Sequence, residues 1–369
     1  MSSQRTKELN VAIIGAGRMG SIRATSIAND HASRLIQVVD NCEERAQALA
    51  STFACAFSTN WEDLLVREDI DTFVVSATHN LLSTISTAAL RAGKNVFCEK
   101  PMARTVPEAQ AVVDATRESG QRRPPVFRLG CTLRHHPAIR QARMEVHNGT
   151  IGQPLYIRAH YGHGGRPLYD QEWRMVPELG GGGELLDQGI HLIDLSRWFL
   201  GDLSEISGMV STYYWTGSAH LDPPIKERFN CAPGVTVDDN AFLLLRNRIG
   251  QTASLHASWT QWKNSFSFEI FGHDGSLVID GLGGSYGEEK LIHARRRAEG
   301  GIPETTVLLT ASTDGVWDRE WNAFSRAVTG ADEETGAEAT GESATAEDGL
   351  EAIRIVRSVY DAARSATRG

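Results

Sequence analysis

The sequence predicts an α/β chain: an N-terminal doubly wound parallel sheet, followed by an α+β domain with a large, mostly antiparallel sheet. Three observations predict it. From Leu9 to about Thr132, short apolar β-rich runs alternate with helical stretches; a glycine-rich turn follows the first run directly; and beyond residue 200 apparent strands succeed one another without intervening helices. A length of 369 residues suits two domains, placed at 1–132 and 133–369.

The first domain is expected to hold strands Val11–Gly15, Leu35–Asp40, Thr72–Ala77, Asn95–Glu99 and Val126–Gly130, with helices Arg18–Asn29, Glu43–Phe53, Trp61–Arg67, Leu81–Ala92 and Val106–Glu118 between them. The second opens with a helix at Pro137–His147, a strand ending near His163 and an amphipathic helix from Glu184 to Leu200. Strands are expected at Glu205–Trp215, Asn240–Arg246, Thr252–Trp262, Phe266–Gly272 and Ser276–Gly281. Ser218–Thr236, with two Pro-containing turns, reads as a long inserted loop. Residues 329–349 read as an acidic, solvated linker, and a last helix is expected over 350–366.

Lys and Arg number 37 and Asp and Glu 46, for a net charge of −9, which argues against a nucleic-acid partner held by its phosphate backbone. Seven of the acids fall in 329–349, where there is no Lys or Arg, so the remaining chain is close to neutral. A phosphate-bearing ligand therefore stays compatible with Arg18 and Arg166. No run reaches the ~18 apolar residues of a membrane span, and Met1–Glu8 lacks the apolar stretch of a signal peptide. The expectation is a cytoplasmic protein without a membrane partner. The five cysteines are scattered and form no C-x-x-C pair, as suits reduced thiols.

Gly15-Ala16-Gly17-Arg18-Met19-Gly20 fits G-x-G-x-x-G after a strand and at the opening of a helix. The first glycine allows the tight turn, the second lets a pyrophosphate reach the backbone, and the third permits close helix packing. Asp40 ends the second strand, where a carboxylate can accept hydrogen bonds from the adenosine ribose. Its charge favours NAD over NADP, although Arg45 lies near enough in sequence to meet a 2′-phosphate. A plain βα turn with a capping aspartate has the same local pattern.

Glu99-Lys100-Pro101 follows the Asn95–Glu99 strand, so Lys100 sits at the carboxyl end of the sheet, where ligands of such folds bind. An ammonium there can stabilise the alkoxide formed during hydride loss; a solvated strand-end lysine is the alternative. Gly180–Gly183 precede a helix that carries Asp187 and His191, four residues apart and so on one face. A carboxylate that orients an imidazole makes a proton acceptor near neutral pH, while the same spacing also serves a local helix pair. The four glycines would let the chain pass close to a ligand. His135, His136, His160, His163 and His191 show no metal-ligand spacing, and no G-x-S-x-G elbow is present, so neither a metal site nor a triad hydrolase is expected.

Taken together, the glycine turn with Asp40, the Ala92–Ala103 stretch containing Glu99-Lys100-Pro101, and Leu186-Asp187-Gln188-Gly189-Ile190-His191-Leu192-Ile193-Asp194 resemble the Gfo/Idh/MocA oxidoreductases (glucose-fructose oxidoreductase and inositol dehydrogenase-like) over nearly the whole chain. The resemblance implies a Rossmann domain and an α+β domain whose open sheet serves assembly into a homodimer or homotetramer. It assigns substrate contact and acid–base chemistry to Lys100, Asp187 and His191, and cofactor contact to Gly15, Gly17, Arg18, Met19, Gly20, Asp40, Ala77, Thr78, His79, Asn80, Glu99 and Lys100. His79 stands where many members have a proline, and can itself reach cofactor or substrate. His163, Arg166, Tyr169 and Trp173 join Lys100, Asp187 and His191 as expected substrate contacts. The implied activity is hydride transfer between NAD, less readily NADP, and a ring CH–OH or C=O of a sugar, amino sugar, nucleotide sugar or cyclitol. A glycosidase that uses transient oxidation and a non-catalytic sensor are the alternatives.

Overall fold

The protein is described by a computed structural model covering residues 8–118, 124–164, 171–213, 235–330 and 342–366. Two compact units emerge, one formed by 1–135 with 315–351 and the other by 136–314 with 352–369.

The first unit is built on a six-stranded parallel sheet of order β3-β2-β1-β4-β5-β6. Its strands are β1 (Leu9–Ile14), β2 (Ser33–Val39), β3 (Ala56–Ser58), β4 (Thr72–Val75), β5 (Asn95–Glu99) and β6 (Phe127–Gly130). Crossover helices are α1 (Arg18–Asn29), α2 (Glu43–Thr52), α3 (His79–Arg91) and α4 (Val106–Glu118). The apolar runs are buried on both faces, as a doubly wound sheet requires: Val11, Ile13, Val74 and Phe97 are at most 1 % exposed. Strand order reverses between β1 and β4, which places the turns after these two strands side by side at the carboxyl edge.

Two expected features differ here. The helix expected over Trp61–Arg67 is a single 3-10 turn at Glu62–Leu64, because Arg67 turns to pair with Asp69 at 2.6 Å and a segment this short cannot recover the price of helix nucleation. A further helix, α8 in chain order (Val316–Thr329), lies beyond the expected boundary at 132 yet belongs to the first unit. Its apolar stripe explains this, since Trp321 and Phe324 are fully buried in the cluster of Val11, Ile13, Ala24, Ile27, Val74 and Phe97.

Beneath α1 an ionic group closes that core. Arg23 is wholly buried, with Nε 2.6 Å from Glu99 Oε1 and Nη2 2.8 Å from Glu320 Oε2. Its guanidinium lies 4.4 Å from the Phe97 ring and 4.9 Å from that of Trp317. The Thr132 hydroxyl donates to Glu320 at 2.7 Å. Burial alone would lower the arginine's pKa, but two facing carboxylates outweigh it and keep the guanidinium charged.

The second unit carries an eight-stranded sheet of order β14-β13-β12-β11-β7-β10-β9-β8. Its members are β7 (Pro154–Gly162), β8 (Leu203–Ser211), β9 (Asn240–Asn247), β10 (Thr252–Ser258), β11 (Ser265–Gly272), β12 (Gly275–Asp280), β13 (Glu289–Arg295) and β14 (Glu304–Ala311). Only β7 and β10 pair in parallel; every other neighbouring pair is antiparallel. Helices α5 (Pro137–His147) and α7 (Ile190–Leu200) pack on one face; the short α6 (Pro177–Gly180) precedes the glycine run. Alternation along β9 shows the division, with Ala241, Leu243 and Leu245 buried and Phe242 and Leu244 exposed.

The strand expected to reach Trp262 stops at Ser258, whose hydroxyl accepts the Thr260 N–H at 3.0 Å and turns the chain. Most of the expected inserted loop and the central acidic residues of 329–349 lie outside the described residues. The last helix, α9 (Ala346–Ala366), begins earlier than expected. Thr345 and Asp348 form a reciprocal cap: the Thr345 hydroxyl accepts the Asp348 N–H at 3.2 Å, and the Asp348 carboxylate accepts the Thr345 N–H at 3.1 Å. Two of the seven acids assigned to the linker, Glu347 and Asp348, are thus first-turn residues that complement the helix dipole.

Candidate active site

The glycine turn occupies the carboxyl end of β1, and each glycine meets a different surrounding. Gly15 adopts φ +105°, and a Cβ there would stand 2.5 Å from the Ser76 carbonyl oxygen, against the turn after β4. At Gly20 a Cβ would fall 2.0 Å from the Gly15 oxygen, so the helix approaches the strand as closely as backbones allow. At Gly17 a Cβ would meet nothing within 4 Å. Gly17 is also the N-cap of α1 and supplies no side-chain cap, which leaves the first helical N–H groups to an outside acceptor.

Asp40 follows β2 and faces this turn. Its Oδ2 accepts the Ala16 N–H at 2.8 Å, and its Oδ1 accepts the Cys42 N–H at 2.9 Å and Arg45 Nη2 at 2.7 Å. Burial would raise this carboxyl, but the hydrogen bonds from Arg45, Cys42 and Ala16, with the Arg45 charge, hold it below the ordinary aspartate value. A carboxylate offers about four acceptor positions, so Oδ2 retains capacity for a ribose hydroxyl. Open space at Gly17, uncapped helical N–H groups and an ionised Asp40 together fit a dinucleotide. Arg18 is exposed and Met19 half-buried.

Ala77, Thr78, His79 and Asn80 form the turn from β4 into α3. Thr78 is the N-cap, its hydroxyl donates to Asn80 Oδ1 at 2.6 Å, and His79 is only 4 % exposed. Glu99, expected among the cofactor contacts, directs its carboxylate to Arg23. Its place in the buried ionic group anchors the strand end, and the half-buried Lys100 follows at once, joined to Pro101 by a cis peptide.

In the second unit, Asp187 and His191 fall on successive turns of one helical segment, although its geometry departs from expectation. Leu185–Gly189 is a π-turn that passes into α7 at Ile190, so the wider winding of this stretch, rather than a uniform α-helix, sets where Asp187 points. Asp187 Oδ2 lies 3.8 Å from Arg174 Nε, and Arg174 also pairs with Glu172 at 3.0 Å and covers the Trp173 ring at 4.5 Å. The His191 ring lies 6.0 Å from that of Tyr161, which meets Tyr286 edge-on at 5.5 Å. Burial pushes the Tyr161 phenol well above its ordinary value, and burial likewise raises Tyr286, so both remain neutral donors at neutral pH.

His163 sits at the end of β7, 6.3 Å from the Trp259 ring. Arg166 and Tyr169 lie outside the described residues. Tyr286 and Arg23 were not anticipated. Tyr286 belongs to a short 3-10 turn after β12 with no motif of its own, and Arg23 reads as an ordinary helix residue until the partners brought by β5 and α8 are known.

The Gly180–Gly183 run has a different explanation from the expected approach to a ligand. A Cβ would stand 2.4 Å from the Arg174 carbonyl oxygen at Gly180, 2.5 Å from the Tyr360 hydroxyl at Gly182 and 1.9 Å from the Asp238 carbonyl oxygen at Gly183. The protein's own atoms fill these spaces.

A doubly wound domain with this cradle, followed by a large mixed sheet, defines a nicotinamide-dependent oxidoreductase class. The sequence profile for the NAD-binding Rossmann fold of the oxidoreductase family matches residues 9–123, and that for the GFO/IDH/MocA C-terminal domain matches residues 139–278. The chain belongs to the Gfo/Idh/MocA oxidoreductase family. It is 30 % identical over 264 residues to the 1,5-anhydro-D-fructose reductase of Ensifer adhaerens, covering 70 % of each chain. It is 28 % identical over 292 residues to the levoglucosan dehydrogenase of Pseudarthrobacter phenanthrenivorans, covering 74 % of each. Its fold matches that of levoglucosan dehydrogenase solved with NADH and L-sorbose, with a TM-score of 0.79 at 23 % identity over 97 % of both chains.

Proposed function

We propose that the protein is a dehydrogenase or reductase that moves a hydride between NAD(H) and a ring CH–OH or C=O of a cyclic polyol: a sugar, an anhydro sugar or a cyclitol. The observation that carries this reading is the glycine turn, with open space at Gly17 and an ionised Asp40 beside it, in a chain that also keeps Lys100, Asp187 and His191. The turn Gly15–Gly20, Asp40 and the Ala77–Asn80 turn would hold the dinucleotide. When bound, its nicotinamide supplies the hydride acceptor or donor.

The protein's own residues manage the proton and the charge. In the oxidative direction His191 takes the proton of the substrate hydroxyl and Asp187 fixes the imidazole's orientation. The Lys100 ammonium stabilises the alkoxide character that grows as the C–H bond weakens. His163 and Trp173, with Arg166 and Tyr169, are assigned to binding of the remaining hydroxyls. Because Asp40 puts a negative charge where a 2′-phosphate would lie, NAD(H) is the assigned cofactor in preference to NADP(H). The exposed sheet face bearing Met209, Phe242, Leu244 and Tyr156 is assigned to assembly with further copies of the chain.

The test is turnover with NAD⁺ or NADP⁺ against levoglucosan, inositols, free and nucleotide-linked sugars and aryl glycosides, and with NADH against 1,5-anhydro-D-fructose, following both nicotinamide absorbance and aglycone release. Net redox turnover of at least one cyclic polyol or ketose is expected. Lys100→Met and His191→Ala should each reduce it at least about a hundredfold with NAD affinity retained. Aglycone release without net redox change, or near-normal turnover in either variant, would overturn the reading.

A further inference from the structure

Asp187 and His191 are carried by a segment whose entry is held from a distance. Asp238, two residues before β9, takes three consecutive N–H groups at that entry. Its Oδ1 accepts from Gly183 at 2.9 Å, its main-chain oxygen from Glu184 at 2.8 Å, and its Oδ2 from Leu185 at 2.8 Å. The Tyr360 hydroxyl on α9 donates to Asp238 Oδ1 at 2.7 Å and accepts from the Gly183 N–H at 3.1 Å. About one helical turn earlier, Arg357 Nη2 donates to the Gly181 carbonyl at 2.8 Å.

An ordinary helix start is capped by a Ser, Thr, Asp or Asn of its own chain segment. Here Glu184, the residue at that position, makes no side-chain cap bond, and the function passes to a residue more than fifty positions later. Gly182 and Gly183 leave no room for side chains that would hold Asp238 and Tyr360 away.

We infer that Asp238 and Tyr360 are positioning residues that set the placement of Asp187, and through it the orientation of His191; this rests on the dehydrogenase reading above. The π-turn begins at Leu185, the last of the three clasped residues, and Asp187 follows two positions later. A shift of the clasp therefore becomes a displacement of the carboxylate, and small misplacements of reacting groups are costly in rate. The Tyr360 hydroxyl acts on this entry through Asp238 and the Gly183 N–H.

The experiment uses the full-length protein and Tyr360→Phe, which removes one oxygen and leaves Asp238 its three N–H partners at Gly183, Glu184 and Leu185; Asp238→Asn is the stronger second variant. Hydrogen exchange of peptides spanning 183–191 should quicken about tenfold in Tyr360→Phe, with β1 peptides unchanged. On the substrate found by the screen above, kcat should fall about tenfold with KM and the dissociation constant for NAD within about twofold. In an Asp187→Asn background the same change should cause no further loss.

Unchanged exchange over 183–191 overturns the clasp whatever the activity does. A loss appearing in KM or NAD affinity, or an equal loss with and without Asp187, overturns the positioning role. Should Asp187→Asn itself leave kcat at the wild-type value, the catalytic assignment of Asp187 fails, and the exchange result still decides the clasp.

Discussion

Two glycine clusters, Gly15–Gly20 and Gly180–Gly183, look alike in sequence, since each precedes a helical segment with proposed chemistry. Their surroundings differ. In the first, Gly15 and Gly20 are required by backbone contacts with Ser76 and with each other, while Gly17 faces open space. In the second, Gly180, Gly182 and Gly183 all face protein atoms, and the chain approaches itself rather than a ligand. A missing side chain thus marks a cradle only where nothing else occupies its place; elsewhere it marks two parts of one chain drawn together.

Alanine separates the two cases. Gly183→Ala should have the largest effect, because a methyl carbon 1.9 Å from the Asp238 carbonyl oxygen forces the backbone apart where Asp187 is held. The melting temperature should fall by several degrees and turnover by at least about a hundredfold, measured per folded molecule. Wild-type turnover in a well-folded Gly183→Ala protein would erase the distinction drawn above. Gly182→Ala should be milder, since the atoms it meets are the tip of the Tyr360 ring rather than backbone, and displacing them disturbs the Tyr360 bonds to Asp238 and Gly183 without forcing the main chain apart.

Gly17→Ala should behave in the opposite way. The residue has φ −76°, which alanine adopts freely, and its Cβ touches nothing within 4 Å. The unliganded protein should therefore melt within about 2 °C of wild type or slightly above it, as less conformational freedom is lost on folding. NAD affinity should nonetheless fall about tenfold or more, read by calorimetric titration, because the methyl stands where the pyrophosphate would approach. Unaltered affinity would mean that the space at Gly17 is not the cradle.

The same contrast explains what could be read in advance. Local patterns carried the first unit: β5 and helices α1 and α4 have their expected bounds, because apolar runs and turn residues close in sequence determine them. The single turn at Glu62–Leu64, the early start of α9 and the π-turn at 185–189 escaped. The first was a matter of length, and the second was signalled by Thr345 and Asp348 but lost in an acidic stretch. The π-turn depends on Asp238, distant in sequence, for which no local pattern exists. Likewise β13 and β14 were missed because their alternation is blurred by charged and small residues, and the place of α8 followed from Trp321 and Phe324 only once their cluster was known. For the site, the glycine turn, Lys100, Asp187 and His191, which the proposed reaction assigns to ligand, stand in motifs; Arg23, Asp238 and Tyr360, which hold the neighbouring segments, stand in none.

The smallest expected effect concerns Asp40, which belongs to the cradle yet is partly spent on protein contacts. Its folded pKa lies below the ordinary value of 3.8, so its bonds to Ala16, Cys42 and Arg45 stabilise the fold fully above that value. The contribution is lost as the pH falls through the lower, folded pKa, when a protonated carboxyl can no longer accept all of these donors. The urea midpoint of Asp40→Asn should therefore lie below that of wild type at pH 7 and at pH 5 by similar amounts, and the gap should narrow below about pH 3.8. A gap that persists unchanged into acid would assign the loss to something other than the ionised carboxylate. In the same variant NAD should weaken more than NADP, since the ribose loses an acceptor while a 2′-phosphate loses a repelling neighbour and gains access to the released Arg45. An unchanged NAD to NADP ratio would confine Asp40 to holding the turn, and the cofactor preference would have to come from elsewhere in the first unit.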